Sequence, residues 1–309
     1  MANVYLPEGY LYDSDENKEY ISCMAGLEYA MDNGIILEAT AVKCDSEHNL
    51  HVDFGFCKGL IPREETVYNP ANTGIKDIAI ITRVGKKVCF KVTDIQMEND
   101  ETLVVLSRRQ AQMECCENKI SALDCGDVTE VAVTHMESFG VFCDMGCGVV
   151  GLLPIDCISV SRIGHPDERF VCGQMIKCVV KDIERDICRV TLTHKELLGT
   201  WEENASLFEP GETACGIVRS VEPYGIFVEL TPNLAGLAEL CDGVSAGQKA
   251  AVYIKSIIPE KMKIKLVIVG IVEDAENMWN PGYMFSSSHM DMWKYSPEGC
   301  LKEIYTLFE

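Results

Sequence analysis

Apolar and polar positions alternate along this chain in short runs, and three stretches of about seventy residues repeat one succession of such runs. That period is too long for a solenoid unit and suits an array of small domains. In the middle stretch, Gly126-Asp127 opens a run through Val131 and Val133. Phe139 to Asp144 and Val149 to Pro154 follow after short turns. A loop holding Arg162 and Arg169 precedes Gly173-Gln174 and a fourth run through Asp182, and Cys188 to Thr193 makes a fifth. Period-two runs bounded by Gly-containing turns read as strands. Five short strands with one long excursion before the fourth predict a small closed barrel of the OB type. The third stretch repeats the order from Gly211 through Tyr224 to Val228, Ala235 to Glu239, Gly247-Gln248 and Met262 to Leu266, with a shorter loop before its fourth strand. The first runs from Gly34 through Val52-Asp53, Lys58 to Pro62 and Val84-Gly85 to Leu103–Ser107, and is the most divergent.

The connecting segments have helical spacing. Tyr20, Ile21, Met24, Leu27 and Met31 recur on one face before Asn33-Gly34, with Ser14 as the N-cap. The predicted organisation is a helical segment over 1–33, a divergent barrel over 34–109, a helical linker over 110–125, a barrel over 126–196, a second helical linker over 197–210, a barrel over 211–270, and a tail over 271–309. The fold class is therefore mainly β: three tandem five-stranded barrels joined by short helical linkers, with helical segments at both ends. The tail is aromatic (Trp279, Tyr283, Phe285, Trp293, Tyr295) and is expected to pack on the third barrel, with Ser296-Pro297-Glu298 starting a last short helix.

A net charge of -21 looks hostile to a nucleic-acid partner, but its distribution changes that conclusion. Residues 1–33 carry one Lys/Arg against seven Asp/Glu, and 271–309 two against seven, whereas 211–270 is balanced at six and six. Binding of RNA would rest on local basic rows and on stacking rather than long-range attraction. The sixteen cysteines contain no CxxC; they sit singly in strand-like segments, as at Cys89, Cys178 and Cys188, and are expected to be reduced core thiols. Cys143 with Cys147 is the nearest approach to metal-ligand spacing, and no metal or other cofactor is expected. The start lacks the basic and apolar regions of a secretory signal, and no window approaches the roughly 18 apolar residues of a membrane span. A cytoplasmic protein is expected.

The second strand carries the candidate chemistry. Residues three apart on a regular strand face opposite ways, so Phe139 and Phe142 share a surface only if the alternation breaks. Gly140 could mark a bulge that does this, giving two rings spaced for successive bases; alternatively one ring fills the barrel core. Tyr224, Gly225 and Phe227 repeat the arrangement. In the fifth strand, Cys188, Val190 and Leu192 are expected inward with Arg189, Thr191 and Thr193 outward. Met262, Ile264 and Leu266 likewise alternate with Lys263 and Lys265. Cations beside an aromatic face suit a phosphate track, although an outward Lys or Arg also fits an ordinary solvated face. His135 and Arg162 are secondary candidates.

The order Gly-Asp, Phe-Gly-x-Phe, Gly-Leu-x-x, a Gly-led strand and Arg-hydrophobic-x-Leu-Thr resembles the S1 RNA-binding domain, in three copies over residues 34 to 268. Leu197 to Trp201 with Phe208 to Glu212 resembles the inter-domain linker of the ribosomal protein S1 family, and Gly59 to Glu64 its degenerate N-terminal repeat. The whole chain is similar to the short Gram-positive form of that family. The resemblance implies RNA contacts from the two second-strand aromatics, a following histidine, and an Asp and Arg near the last strand. The aromatics fall on Phe139, Phe142, Tyr224 and Phe227, and the Arg on Arg189, with Lys263 in the last copy. Pro154 and Glu239 stand where the histidine would be, and Glu184 represents the Asp in the middle copy alone. His48 and His51 occupy the aromatic positions of the first copy, which the resemblance makes a docking module.

No GxxxxGK[ST] or HExxH occurs, and His135, His165 and His194 stand apart from any nucleophile, so no enzymatic activity is expected. Two functional classes remain. One captures or chaperones single-stranded messenger RNA through repeats two and three at the small ribosomal subunit, which the N-terminal helix and first barrel would contact. The other is a protein-interaction scaffold on the ribosome or on RNA-processing machinery with incidental RNA affinity.

Overall fold

The computed structural model describes residues 5–71, 74–98, 101–272 and 282–308; Trp279 lies outside them. The chain forms two compact units, one of residues 1–123, 143–151 and 183–190 and the other of 124–142, 152–182 and 191–309. Among the described residues it builds three closed five-stranded barrels and one small two-stranded sheet.

The chain opens with α1 (Asp15–Ile21) and α2 (Met24–Asp32). Ser14 caps α1 by accepting the Asn17 N–H, as its position predicts. The single apolar periodicity is interrupted at Ser22-Cys23, where α2 turns back on α1. A Cβ at Gly26 would lie 2.4 Å from the Tyr20 carbonyl oxygen, so only glycine permits that approach. Leu27 and Ala30 of α2 then join the core of the first barrel with Leu50, Ile61, Phe90 and Leu106. That barrel comprises β1 (Leu37–Cys44), β2 (Leu50–Asp53), β3 (Lys58–Ile61), β4 (Lys87–Glu98) and β5 (Glu101–Ser107), with α3 (Asp77–Ile81) before β4. Its strand order is β1-β2-β3-β5-β4, with β3 parallel to β5.

After α4 (Arg108–Asn118) come β6 (Val128–Glu137), β7 (Gly140–Asp144), β8 (Val150–Pro154), β9 (Met175–Glu184) and β10 (Arg189–Thr193), which close as β10-β8-β7-β6-β9. A short helix, α5 (Trp201–Ala205), leads to β11 (Thr213–Glu222), β12 (Gly225–Thr231), β13 (Leu234–Ala238), β14 (Lys249–Ile258) and β15 (Lys263–Ile271), ordered β11-β12-β13-β15-β14. All three barrels thus share one connectivity, the OB type expected from the repeats.

The first unit is held by buried charge. Arg108 forks onto Glu8 at 2.6 and 2.9 Å, and Arg83 approaches the same carboxylate at 3.4 Å. Burial raises the Glu8 pKa, but the guanidinium charges outweigh it and hold the group below its ordinary value. The N-terminal segment before α1 is strapped down by Glu38, whose carboxylate accepts the N–H groups of Gly9, Leu11 and Tyr12 at 3.0, 3.2 and 2.7 Å.

In the tail, Trp293, Tyr295 and Phe308 are buried in a hydrophobic cluster that joins the third-barrel core to Val179 of β9, and Tyr283 and Phe285 pack against it. The tail does not pack on the third barrel alone: the Val128 N–H donates to the Ser288 carbonyl, the Met290 N–H to the Gly126 carbonyl, and the Tyr283 hydroxyl accepts the Lys177 N–H. The short helix expected from Ser296 does not form. Residues 292–294 (β16) pair with 305–307 (β17), because the Tyr295 N–H bonds to the Ile304 carbonyl and the Ser296 hydroxyl accepts the Ile304 N–H, turning the chain back.

The expectation of reduced thiols is overturned at one pair: Cys116 and Cys188 form a disulfide. Cys188 also does not begin the fifth strand as an inward residue. It occupies a left-handed turn position (φ 51°) just before β10, and Met262 (φ 47°) does the same before β15.

Candidate nucleic-acid interface

The third barrel gathers its candidate residues into one groove. Tyr224 is 69% exposed, Phe227 is half-buried, and the rings meet edge to face with centroids 6.1 Å apart. The break in alternation is not a bulge at the glycine. Pairing of β11 with β12 is regular through Ser220↔Phe227, Val221↔Ile226 and Glu222↔Gly225, so Tyr224 belongs to the two-residue turn before the strand, outside the pleat. Gly225 is required for a different reason: at φ 147°, a Cβ there would stand 2.7 Å from the Ala238 carbonyl oxygen on the neighbouring strand. Gly140 is closed in the same way by the Leu153 carbonyl, 2.5 Å from a Cβ.

Strand register carries the surface from rings to cations. Phe227 lies opposite Leu237, and Leu237 opposite Lys265, so ring and ammonium share a row two strands apart, roughly 10 Å. The groove has a volume of about 630 Å³ and is lined by Tyr224, Phe227, Leu237 and four lysines, Lys255, Lys261, Lys263 and Lys265. Glu239 also lines it and sits 3.7 Å from Lys255. Lys255 and Lys261 were not singled out from sequence. Lys255 is the residue at which the β14–β15 pairing shifts, between Ile254 and Ser256, and it stays outward in step with exposed Tyr253 and buried Ile254. That period-two alternation from Val252 to Lys255 was the available signal.

In the middle barrel, Phe139 is 55% exposed in the turn before β7, and it meets Phe142 edge to face at 5.9 Å. His135 stacks on Phe142 at 6.0 Å with 15° between planes, and its Nε2 lies 2.7 Å from Glu137. The structure therefore brings His135 to the ring pair. Arg189 and Glu184 are both exposed and pair with each other at 3.1 Å. Arg162 is exposed in the loop between β8 and β9, whereas Arg169 of that loop is buried against Glu229 at 2.6 Å, and Arg219 shares the same carboxylate at 2.7 Å. Thr193, expected outward, is fully buried and bonds the Cys157 carbonyl.

His194 is packed between the rings of Phe170 and Tyr283, with Nδ1 3.0 Å from the Ile158 carbonyl. Burial pushes its pKa down to about 4, a shift that the Ile158 contact opposes and the charge of Arg169 adds to. It is a neutral core ring. In the first barrel, His51 and His48 face carboxylates instead of rings: His51 lies 2.9 Å from Asp45 and His48 3.8 Å from Asp77. Among the described residues no group of three or more His, Cys, Asp or Glu could hold a metal ion, and no helix is long and apolar enough to cross a membrane.

Residues 124–195, the middle barrel, match the family model described as "S1 RNA binding domain". Over 257 residues the chain is 29% identical to small ribosomal subunit protein bS1 of Staphylococcus epidermidis and 28% identical to that of Staphylococcus aureus, each alignment covering 82% of this chain. The chain spans 62% of the length of those relatives. A solved structure from Streptococcus pneumoniae, a multidomain protein with nucleic acid binding domains, covers 76% of this chain and 73% of its own at 13% identity and a TM-score of 0.25. The resemblance to the S1 family read from the repeats is thus supported by the domain match and by the bS1 relatives.

Proposed function

We propose, from an S1 RNA binding domain at residues 124–195 as premise, that this protein binds single-stranded RNA in translation by stacking bases on the ring pairs of its second and third barrels. The observation that carries this reading is the groove of the third barrel, where the exposed Tyr224 ring, the half-buried Phe227 ring and four lysines line one surface. Rings accept any base, and stacking contributes roughly 1 to 3 kcal/mol per base, while the lysines meet the phosphates. The pair Phe139 and Phe142, extended by His135, supports the same role for the middle barrel. Arg189, with Glu184 as its partner, would contact the strand there, and Arg162 offers a further cation from the loop.

The likeness to bS1 supports messenger RNA as the ligand and a cytoplasmic setting at the small ribosomal subunit. The first barrel, with imidazoles in place of rings, would serve with α1 and α2 as the docking part. No catalytic step is assigned. Photocrosslinking to a 4-thiouridine-substituted, unstructured RNA tests the reading. Adducts on peptides holding residues 139–142 and 224–227 are expected; adducts confined to the first barrel would contradict it.

A further inference from the structure

The turn between β9 and β10 joins two features that the RNA reading treats separately. It leads into Arg189, the first residue of β10, and it is tied to the linker helix α4 through the Cys116–Cys188 disulfide, which closes a sequence separation of 72 residues. The tie has a second strand: Arg185 of the same turn donates to the Leu123 carbonyl at 2.7 Å and to the Ser121 carbonyl at 3.5 Å. Cys188 holds the left-handed position immediately before Arg189, so its sulfur and the Arg189 side chain spring from adjacent residues. In the third barrel the same left-handed position holds Met262, followed by Lys263, and no such bond can form there. Cys116 is buried at 9% exposure and Cys188 is half-buried, which leaves Cys188 as the sulfur a reagent reaches first.

We propose that Cys116 and Cys188 are a reversible thiol–disulfide site whose oxidation fixes the Arg189 turn and tightens RNA binding by the middle barrel; the second half of this proposal rests on the RNA reading above. In a cytoplasmic setting a disulfide is usually transient and redox-sensing rather than structural. The oxidant is a small-molecule disulfide such as oxidised glutathione. The Cys188 thiolate attacks one glutathione sulfur and expels a glutathione thiolate. The Cys116 thiolate then attacks the Cys188 sulfur of the mixed disulfide and expels the second. One disulfide is made and one broken, and the two thiol protons end on two glutathione molecules. A dithiol reverses the sequence. Oxidised, the turn is held in the geometry that presents Arg189; reduced, it loses its covalent tie to α4 and is held there by weaker contacts such as the Arg185 hydrogen bonds, and the RNA must order the turn on binding.

The full chain, treated with oxidised glutathione or with dithiothreitol, is alkylated and mapped by peptide mass spectrometry. Its affinity for an unstructured U-rich RNA of about twenty nucleotides is read by fluorescence anisotropy. A linked 116–188 peptide is expected after oxidised glutathione, with both cysteines alkylated after dithiothreitol. Kd should be about three- to tenfold tighter for the oxidised form, and Cys116→Ser should abolish that difference. Reduced wild type is itself the least disturbed comparison, so the test stands even if Cys116→Ser folds poorly. Alkylation of both cysteines after oxidised glutathione would overturn the site, and equal Kd values in the two states would overturn the coupling. If neither state binds RNA, the RNA reading fails and takes the coupling with it, while the linked peptide still decides the thiol site.

Discussion

The first and third barrels share one strand order and two matching bulges, on the first and fourth strands, yet matching rows of their sheets carry opposite surfaces. In the third barrel the row runs Ser220, Phe227, Leu237, Lys265 and Ser256. In the first, the same pairings give Lys43, His51, Leu60, Val105 and Asp94. The bulged residue of the fourth strand is Lys255 in one and Thr93 in the other, and Lys263 of the third barrel corresponds to Leu103. The ring and three of the lysines that line the groove are all replaced. The hairpin tip differs as well. Pro223-Tyr224 makes a two-residue turn that presents a ring. The first barrel instead has residues 45–49, folded around Asp45, whose carboxylate accepts from the Glu47 and Asn49 N–H groups and meets His51. Its polar chemistry is spent on its own chain. One barrel architecture therefore serves either an open, ring-bearing face or a self-satisfied one, and the choice is made by a handful of outward side chains.

The largest expected effect falls on the first unit alone. Arg108→Leu strands the buried Glu8 carboxylate and should cost about 3 to 5 kcal/mol in urea denaturation, while the folded variant keeps its RNA affinity. Comparable loss of RNA affinity would break the division of labour. Next, Tyr224→Ala with Phe227→Ala should weaken binding of single-stranded RNA by roughly 1 to 3 kcal/mol per base lost. The matched change in the first barrel, His48→Ala with His51→Ala, should leave titrations unchanged.

Third is a pH effect confined to the first unit. Burial raises the Glu38 pKa from 4.5 to about 7, against the pull of the Gly9, Tyr12 and Leu11 amides and with some help from the charge of Glu8. A carboxyl whose folded value is raised binds its proton more tightly when folded. Its contribution to stability is therefore full below pH 4.5 and is lost as pH rises through about 7. Glu38→Gln should flatten the loss of stability between pH 5 and 8 by on the order of 2 kcal/mol. An unchanged slope in paired melts would remove Glu38 from the account. The smallest effect belongs to single cations: Lys265→Gln should reduce the slope of log K against log salt by about 0.7 and cost less than about 1 kcal/mol at physiological salt.

The barrels were legible because their strands announce themselves locally, through alternation and turn glycines, three times over. The ring pairs were legible by recurrence, although Gly140 and Gly225 both meet a close carbonyl of a neighbouring strand, and at Gly225 the pairing is regular instead of bulged. What could not be read depends on pairing across the chain. Cys116 and Cys188 meet across 72 residues. Glu8 and Glu38 look like ordinary surface acids until Arg108 and the folded-back N-terminal amides are placed beside them. Ser296-Pro297-Glu298 has a helix-start composition, but a hydrogen bond from eight residues on decides the turn.

The central claim, that ring pairs on matching strands bind RNA, is tested most directly by fluorescence anisotropy of an unstructured U-rich RNA of about twenty nucleotides. Wild type is compared with a Phe142→Ala/Phe227→Ala variant at low and physiological salt, with circular dichroism confirming the fold of both. The account predicts salt-sensitive binding by wild type that collapses in the folded variant. Equal affinity of the two proteins, or no binding by wild type at low salt, would contradict it.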